Sequence, residues 1–307
     1  MILYIKAFIH SMVNKILDRA FKKAKKLPLD KDAKIIFFSD LHKGDNSYAD
    51  DFRQNYTLYQ HALQGYFDQG YTYIELGDGI ELWENKSFEP IYKNHKSIFD
   101  LLKRFHWQNR LHLLWGNHDM EFRDPIFVEK IARTFFIPKN VQQKDRLFDL
   151  AYEESLLLQF EGEERGILVL HGHQADYMNY AHWKFNRFFV RYFWKYMQKW
   201  FGISDPTSPA KNHKGLIRVE KKLQKWILNN VHQMVICGHT NRPRFPEPDE
   251  IPLFNDGSCV HPKSITGIEI ENFEISLIKW HLTDDDQPTK KIIKTILEGP
   301  VSLKKYL

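Results

Sequence analysis

Apolar residues recur along this chain at two periods. Between residues 3 and 26 they fall three and four apart, at Ile5, Phe8, Ile9, Met12, Val13, Ile16, Leu17, Ala20 and Phe21, which predicts an amphipathic helix. Lys15, Arg19, Lys22, Lys23, Lys25 and Lys26 crowd its second half, and Pro28 is expected to end it. Such a helix can pack its apolar face on the body of the protein or lie on an anionic membrane surface. Beyond it, short apolar runs alternate with helical stretches. Strands are expected at 34–38, 71–76 and 111–115, and helices at 52–69, at 91–106 and after Pro125. Runs 156–161 and 166–170 predict a hairpin turning at Gly162-Glu163-Glu164.

The rhythm breaks between 177 and 232. An aromatic and basic stretch, from Trp183 to Tyr196, leads to a turn-rich break at 202–209 and a second helix at 214–229 with Leu216, Val219, Leu223, Trp226 and Ile227 on one side. Strands return at 234–236, 258–261, 264–270 and 273–280, and the polar end shows no element until 292–297. The alternation predicts a layered α/β fold. Its parts are an N-terminal helical segment (1–30), a domain at 31–284 with a helical insertion at 177–232, and a tail at 285–307.

Composition adds bounds. A chain of 307 residues with 43% hydrophobic and 27% charged residues buries a sizeable core. The net charge of +5 permits anionic partners without demanding nucleic acid. The basic residues concentrate in the first helix and the insertion, which argues against a nuclease groove. Two cysteines, Cys237 and Cys259, suggest no disulfide scaffold. No apolar run approaches the roughly 18 residues of a spanning helix. Lys6 interrupts the apolar start, and no small-residue cleavage site follows it. The expectation is a cytoplasmic protein, with the basic helix as its route to the inner face of a membrane.

The chemistry lies in five segments, each ending an apolar run in metal-ligand side chains: Ser39-Asp40-Leu41-His42, Gly77-Asp78, Gly116-Asn117-His118-Asp119, His171-Gly172-His173 and Gly238-His239-Thr240-Asn241. Five such segments in order predict a two-metal site on the loops at one edge of a sheet. Asp40 and His42, two residues apart, can reach one ion. Gly77 allows a sharp turn that presents Asp78. Asn117 offers a carbonyl oxygen, and His171 and His239 offer imidazoles. Mixed oxygen and imidazole donors suit Mn²⁺, Fe or Zn²⁺.

This pattern resembles the calcineurin-like metallophosphoesterase superfamily, over residues 35–280. The resemblance implies a layered αββα sandwich and two divalent ions, Mn²⁺ foremost. Asp40, His42 and Asp78 would bind the first and Asp78, Asn117, His171 and His239 the second. It implies a metal-activated hydroxide as nucleophile and His118 as general acid, oriented by Asp119. Asn241 stands where the family has a second histidine that binds the first metal; its carbonyl oxygen can still serve as a ligand, and the first site is expected to hold its ion less tightly, to favour a harder one such as Mn²⁺, or to be empty. His173 and Arg242 are candidates for contacting substrate, Glu81 for supporting the ligands.

Within the superfamily the layout is similar to UDP-2,3-diacylglucosamine pyrophosphatases, which carry a helical lid at the same place. That likeness implies a lipid-linked phosphoester partner. Two departures stand against it: those enzymes have Arg at the position of His118, and they keep the histidine that Asn241 replaces. A protein phosphatase or nucleotide phosphodiesterase would share the core, and a scaffold without catalysis is the non-enzyme alternative. The sequence leaves the oligomeric state open.

Overall fold

The computed structural model describes residues 2–48, 50–136, 150–160, 165–194, 213–283 and 291–306. Two sheets pack face to face. The larger runs β12 (Ile292–Ser302), β11 (Glu274–Leu282), β10 (Ser264–Glu271), β2 (Ile35–Phe38), β3 (Thr72–Glu75), β4 (Leu111–Leu114) and β5 (Tyr152–Glu153). The smaller runs β1 (Lys25–Leu29), β6 (Ser155–Phe160), β7 (Gly166–Leu170), β8 (Val235–Cys237) and β9 (Leu253–Asn255). Strands β2, β3 and β4 are parallel neighbours, and so are β7, β8 and β9.

Alternate residues of each strand serve different layers, because a strand turns successive side chains to opposite faces. Ile35 and Phe37 meet Leu156, Leu158, Ile167 and Val169 between the sheets. Ile36 and Phe38 point outward, under helices α2 (Tyr56–Asp68) and α4 (Lys96–Trp107), which supply Tyr59, Leu63, Tyr66, Ile98 and Phe105. On the other side Leu168 and Leu170 meet α1 (Ile2–Lys23) and α8 (His213–Asn229) through Val13, Leu17, Val219, Leu223 and Trp226. The outcome is the expected αββα sandwich.

Several elements differ from the sequence expectation. Segment 1–30 is a helix that stops at Lys23 followed by a strand. That strand, β1, pairs in parallel with β6 at the sheet edge, where Pro28 is tolerated. The helix packs on the body: Val13, Leu17 and Ala20 are buried, Trp226 Nε1 donates to Asp18 at 2.8 Å, and Ser155 Oγ donates to the Ala20 carbonyl at 2.7 Å. Its apolar face between Val13 and Ala20 is therefore not free to enter a membrane. None of the described helices is long and apolar enough to cross one.

The stretch 91–106 is two helices, α3 (Phe88–Asn94) and α4, separated at His95, whose buried ring contacts the Gly44 carbonyl. The strand expected at 258–261 is a loop, and β9 precedes it. Among the described residues of 177–232, α6 (Tyr177–Ala181), α7 (Trp183–Phe189) and the π-helical turn Val190–Trp194 leave the sandwich layers, while α8 belongs to the outer layer. The break at 202–209 and the turn at 162–164 lie outside the described residues. The tail contributes the long edge strand β12. Asp124 caps α5 (Pro125–Ile131) by accepting from Ile126 N, with Pro125 in the first turn as expected.

Because Leu17 is fully buried between the smaller sheet and α8, Leu17→Ala should cost about 2–5 kcal/mol. Urea denaturation measures this directly; a cost near zero would mean α1 is not docked.

Candidate metal centre

The five ligand-bearing loops follow β2, β3 and β4 of one sheet and β7 and β8 of the other, so the site lies across the carboxyl ends of the sandwich. Pairing continues past the strands. Asp40 N donates to Gly77 O at 3.1 Å, His42 N to Asp78 O at 2.8 Å and Gly238 N to His171 O at 2.9 Å. Asp40, His42, Asp78, His239 and Asn241 all adopt left-handed backbone, with φ of 50°, 50°, 50°, 67° and 53°. Asp, Asn and His tolerate this region better than other side chains, but each such residue still costs on the order of 1 kcal/mol or more. Gly77 has φ of 94°, and a Cβ on it would lie 2.8 Å from Gly116 N and 2.9 Å from His171 Cγ. The glycine thus lets loops from the two sheets meet.

Asp78 is the meeting point. Its Oδ2 lies 3.2 Å from His171 Nε2 and 3.8 Å from His42 Nε2, while Oδ1 accepts from His118 N at 2.8 Å. His42, Asp78 and His118 bring ligand atoms within 4.8 Å of one another, and Asp78, His171 and His239 do the same. The tautomers are set from behind. His171 Nδ1 donates to the Leu76 carbonyl at 2.8 Å, which turns Nε2 to Asp78; burial opposes a charge on the ring, but Asp78 and Asp40 outweigh it and raise its pKa to about 9, so a cation would take Nε2 in place of a proton. Asp40 accepts from His239 N at 2.8 Å on Oδ2, which leaves Oδ1. Asp40 Oδ1, Asn117 Oδ1, His171 Nε2, His239 Nε2 and both polar side-chain atoms of Asn241 are buried and make no hydrogen bond among the described residues, although His171 Nε2 and His239 Nε2 face the Asp78 and Asp176 carboxylates. Buried polar atoms are normally satisfied. Acceptors left over together on oxygen and imidazole nitrogen are the donor set a divalent ion takes, so these residues fit the metals that the resemblance implies.

Burial opposes ionisation of Asp78, but His171 and His118 outweigh it and hold its carboxyl well below the usual range. Asp40 is lowered as well, with burial opposing and His171 the leading favourable neighbour. Both are therefore carboxylates. Asp256 behaves oppositely: burial, with the Asp40 charge beside it, pushes its carboxyl well above the usual range.

Asp119 does not orient His118. It is fully buried, accepting from Gly116 N at 2.6 Å on one oxygen and from Gly79 N and Ile80 N at 2.9 and 3.2 Å on the other. Three backbone donors occupy it, so it clamps the loops after β3 and β4. Glu81 takes the orienting place: its Oε2 lies 2.7 Å from His118 Nδ1 and 2.8 Å from His42 Nδ1. Trp83 stacks on the His118 ring at 4.1 Å and 21°. The spacing of Glu81, three residues after Asp78, is the one sequence signal for this role.

Two further candidates fall elsewhere. His173 is fully buried, its ring stacked with Tyr180 and tilted against His171, so it does not reach substrate. Burial, then His171 and His239, keep it neutral. Arg242 is exposed beside the last motif. Asp176, which the motifs do not mark, caps α6 and places Oδ2 3.7 Å from His239 Nε2.

Fold and residues together define a metal-dependent phosphoester hydrolase. The chain belongs to the calcineurin-like phosphoesterases, whose family model its sequence matches over residues 33–243. Among solved structures it is similar to vacuolar protein sorting 29 from Cryptosporidium parvum, at 13% identity over 88% of this chain and 100% of that one, with a TM-score of 0.41. It is also similar to a predicted phosphoesterase from Streptococcus pneumoniae, at 14% identity over 86% and 98%, with a TM-score of 0.35. No curated protein matches the sequence.

Burial works against the protonated His118 ring, but the Glu81 and Asp78 carboxylates outweigh it and raise its pKa. Were His118 the general acid that the resemblance implies, it would act while protonated and activity would fall as pH rises through that pKa. Glu81→Gln removes one raising charge. The alkaline limb of the pH–rate profile, recorded at saturating metal, should move to lower pH by about one unit or more. An unmoved limb would show that Glu81 does not govern this proton.

Proposed function

We propose that the chain hydrolyses a phosphoester or pyrophosphate that joins an anionic group to an apolar one, of the kind found in a nucleotide-linked lipid precursor. The observation that supports this is the aromatic surface of the insertion. Phe185 and Phe188 are 66% and 60% exposed, and Phe189 and Tyr192 continue the surface one turn on. The same segment is fastened to the site. Arg191 donates to the carbonyls of Leu82, Trp83 and Asn85, in the loop that carries Glu81, and Arg187 pairs with Glu121 just beyond Asp119. Exposed aromatic side chains on a segment fastened to the loops of a phosphoester site suit a substrate with an acyl or other apolar part.

In this reading Asp40, His42, Asp78 and Asn241 hold one divalent ion, and Asp78, Asn117, His171 and His239 hold the other. Mn²⁺ suits the first set, because an amide oxygen replaces an imidazole there. Two such ions, when bound, neutralise the phosphoryl group and acidify the attacking water. His118 gives its Nε2 proton to the leaving oxygen while Glu81 holds Nδ1 and Trp83 fixes the ring plane. Asp119 keeps the loops after β3 and β4 in register. The apolar face of α1 between Val13 and Ala20 is packed on the body, so the apolar part of the substrate is assigned to the insertion.

The test is Mn²⁺-dependent hydrolysis of four substrates: an aryl phosphomonoester, an aryl phosphodiester, and a nucleotide-sugar pyrophosphate with and without acyl chains. Asp78→Ala should abolish turnover of every substrate, since its carboxylate faces both ligand groups. Preference for the acylated pyrophosphate supports the reading, and preference for a simple ester points to a phosphatase or diesterase pocket. Absence of all turnover would favour the scaffold alternative.

A second measurement isolates the aromatic surface. Phe185→Ala combined with Phe188→Ala should raise KM for the acylated substrate about tenfold or more, as two aromatic contacts are lost, and leave the aryl ester unaffected. Equal effects on both substrates would mean the surface acts through the fold.

A further inference from the structure

Behind Asp40 lies a chain of oxygen atoms that the proposed chemistry does not use. Ser39 Oγ is 2.6 Å from Asp40 Oδ2 and 2.7 Å from Asp256 Oδ1. All three residues are at most 1% exposed. Oxygen pairs this close each need a proton between them. The serine hydroxyl brings one, so the second belongs to a carboxyl group. Asp40 Oδ2 already accepts the His239 N–H and is not the carrier. The Ser39 proton is therefore donated to Asp40, and the remaining proton sits on Asp256 Oδ1, donated to Ser39 Oγ.

A second observation agrees. Asp256 Oδ2 is buried and has no partner among the described residues. An ionised carboxylate there would leave charge unsatisfied, whereas a neutral acid leaves only a carbonyl oxygen. The surroundings favour the contact as well. Asp256 N donates to Cys237 O at 3.0 Å, tying the loop after β9 to the end of β8. A Cβ on Gly238 would lie 2.2 Å from Ser39 Oγ, so the glycine leaves room for the hydroxyl.

We infer that Asp256 is a positioning residue: as a neutral acid it donates to Ser39, which donates to Asp40 and holds that carboxylate with Oδ1 turned to the metal site. The inference rests on the reading of Asp40 as a metal ligand. Linked hydrogen bonds of this kind strengthen one another, and loss of a group that orients a ligand weakens metal binding by about 10- to 100-fold.

The experiment is calorimetric titration of the full chain with Mn²⁺ after chelator stripping, with Asp40→Ala as reference for the site concerned. Asp256→Ala and Ser39→Ala should each weaken that site by about 10- to 100-fold and leave the other in place. The double variant should be no weaker than either single, because both break one chain. Asp256→Asn should bind nearly as the parent does, since its amide N–H can donate to Ser39 in the same way. An Asp256→Ala isotherm like the parent's overturns the proposal, and so does Asp256→Asn binding as weakly as Asp256→Ala. If Asp256→Ala does not fold, Ser39→Ala, which removes a single oxygen, decides alone. An Asp40→Ala isotherm like the parent's overturns the ligand assignment itself. That outcome is distinguishable from a silent Asp256→Ala beside a damaged Asp40→Ala.

Discussion

Asp78 sits where loops from two different sheets are pressed together, and the rest of the centre depends on that contact. Its carboxylate reaches His171 across the sandwich and accepts the backbone of His118 from its own sheet. Neither loop could take this course alone. Left-handed backbone at five candidate ligand positions is unfavourable, and so is a group of buried acceptors without donors. A rigid double sheet can impose both, because the loops leave paired strands and remain hydrogen-bonded to each other beyond the strand ends. A cation taken up there relieves the unpaired acceptors, so metal binding and stability of the fold are linked.

The same arrangement explains which features the sequence makes legible. Each ligand follows directly on a buried strand, and most lie beside a glycine, so apolar run, turn and ligand appear within about ten residues. The parts that support the ligands have no such local mark. Ser39 and Asp256 are 217 positions apart, and their contact exists only because β2 and the loop after β9 converge. Asp119 looks like the partner of His118 because it is the next residue. A neighbour along a tight loop points elsewhere, and this carboxylate turns inward to three amides while Glu81 arrives from another loop.

The outer elements fail for a different reason. Lys25-Lys26-Leu27 has ordinary helix formers and extends the apolar period of α1, yet pairing with β6 makes the segment a strand. Tertiary hydrogen bonds outweigh propensities of a few tenths of a kcal/mol per residue. Strand β9 has three residues, too few for a period to show, and is fixed by its parallel neighbour β8. His95 interrupts what reads as one helix because its ring is needed against the Gly44 carbonyl and Asp50.

The division of labour between α1 and the insertion bears on what the protein acts upon. Both are aromatic or apolar and basic in sequence, and either could have met a lipid. Packing separates them. Helix α1 buries Val13, Leu17 and Ala20, and between Val13 and Lys23 it turns Lys15, Arg19, Lys22 and Lys23 outward. Helix α7 does the reverse. Its Arg187 is consumed in pairing with Glu121, Arg191 in the turn that follows is consumed in anchoring to loop carbonyls, and the phenylalanines of α7 are left outside. Had the insertion served only to stabilise the fold, the apolar side chains would face inward and the arginines outward. The inverted arrangement leaves an aromatic surface on a segment held by polar contacts to the loop that carries Glu81. A substrate whose apolar part rests on α7 would therefore bear on the segment that holds the loop of Glu81 and Trp83, both of which touch His118.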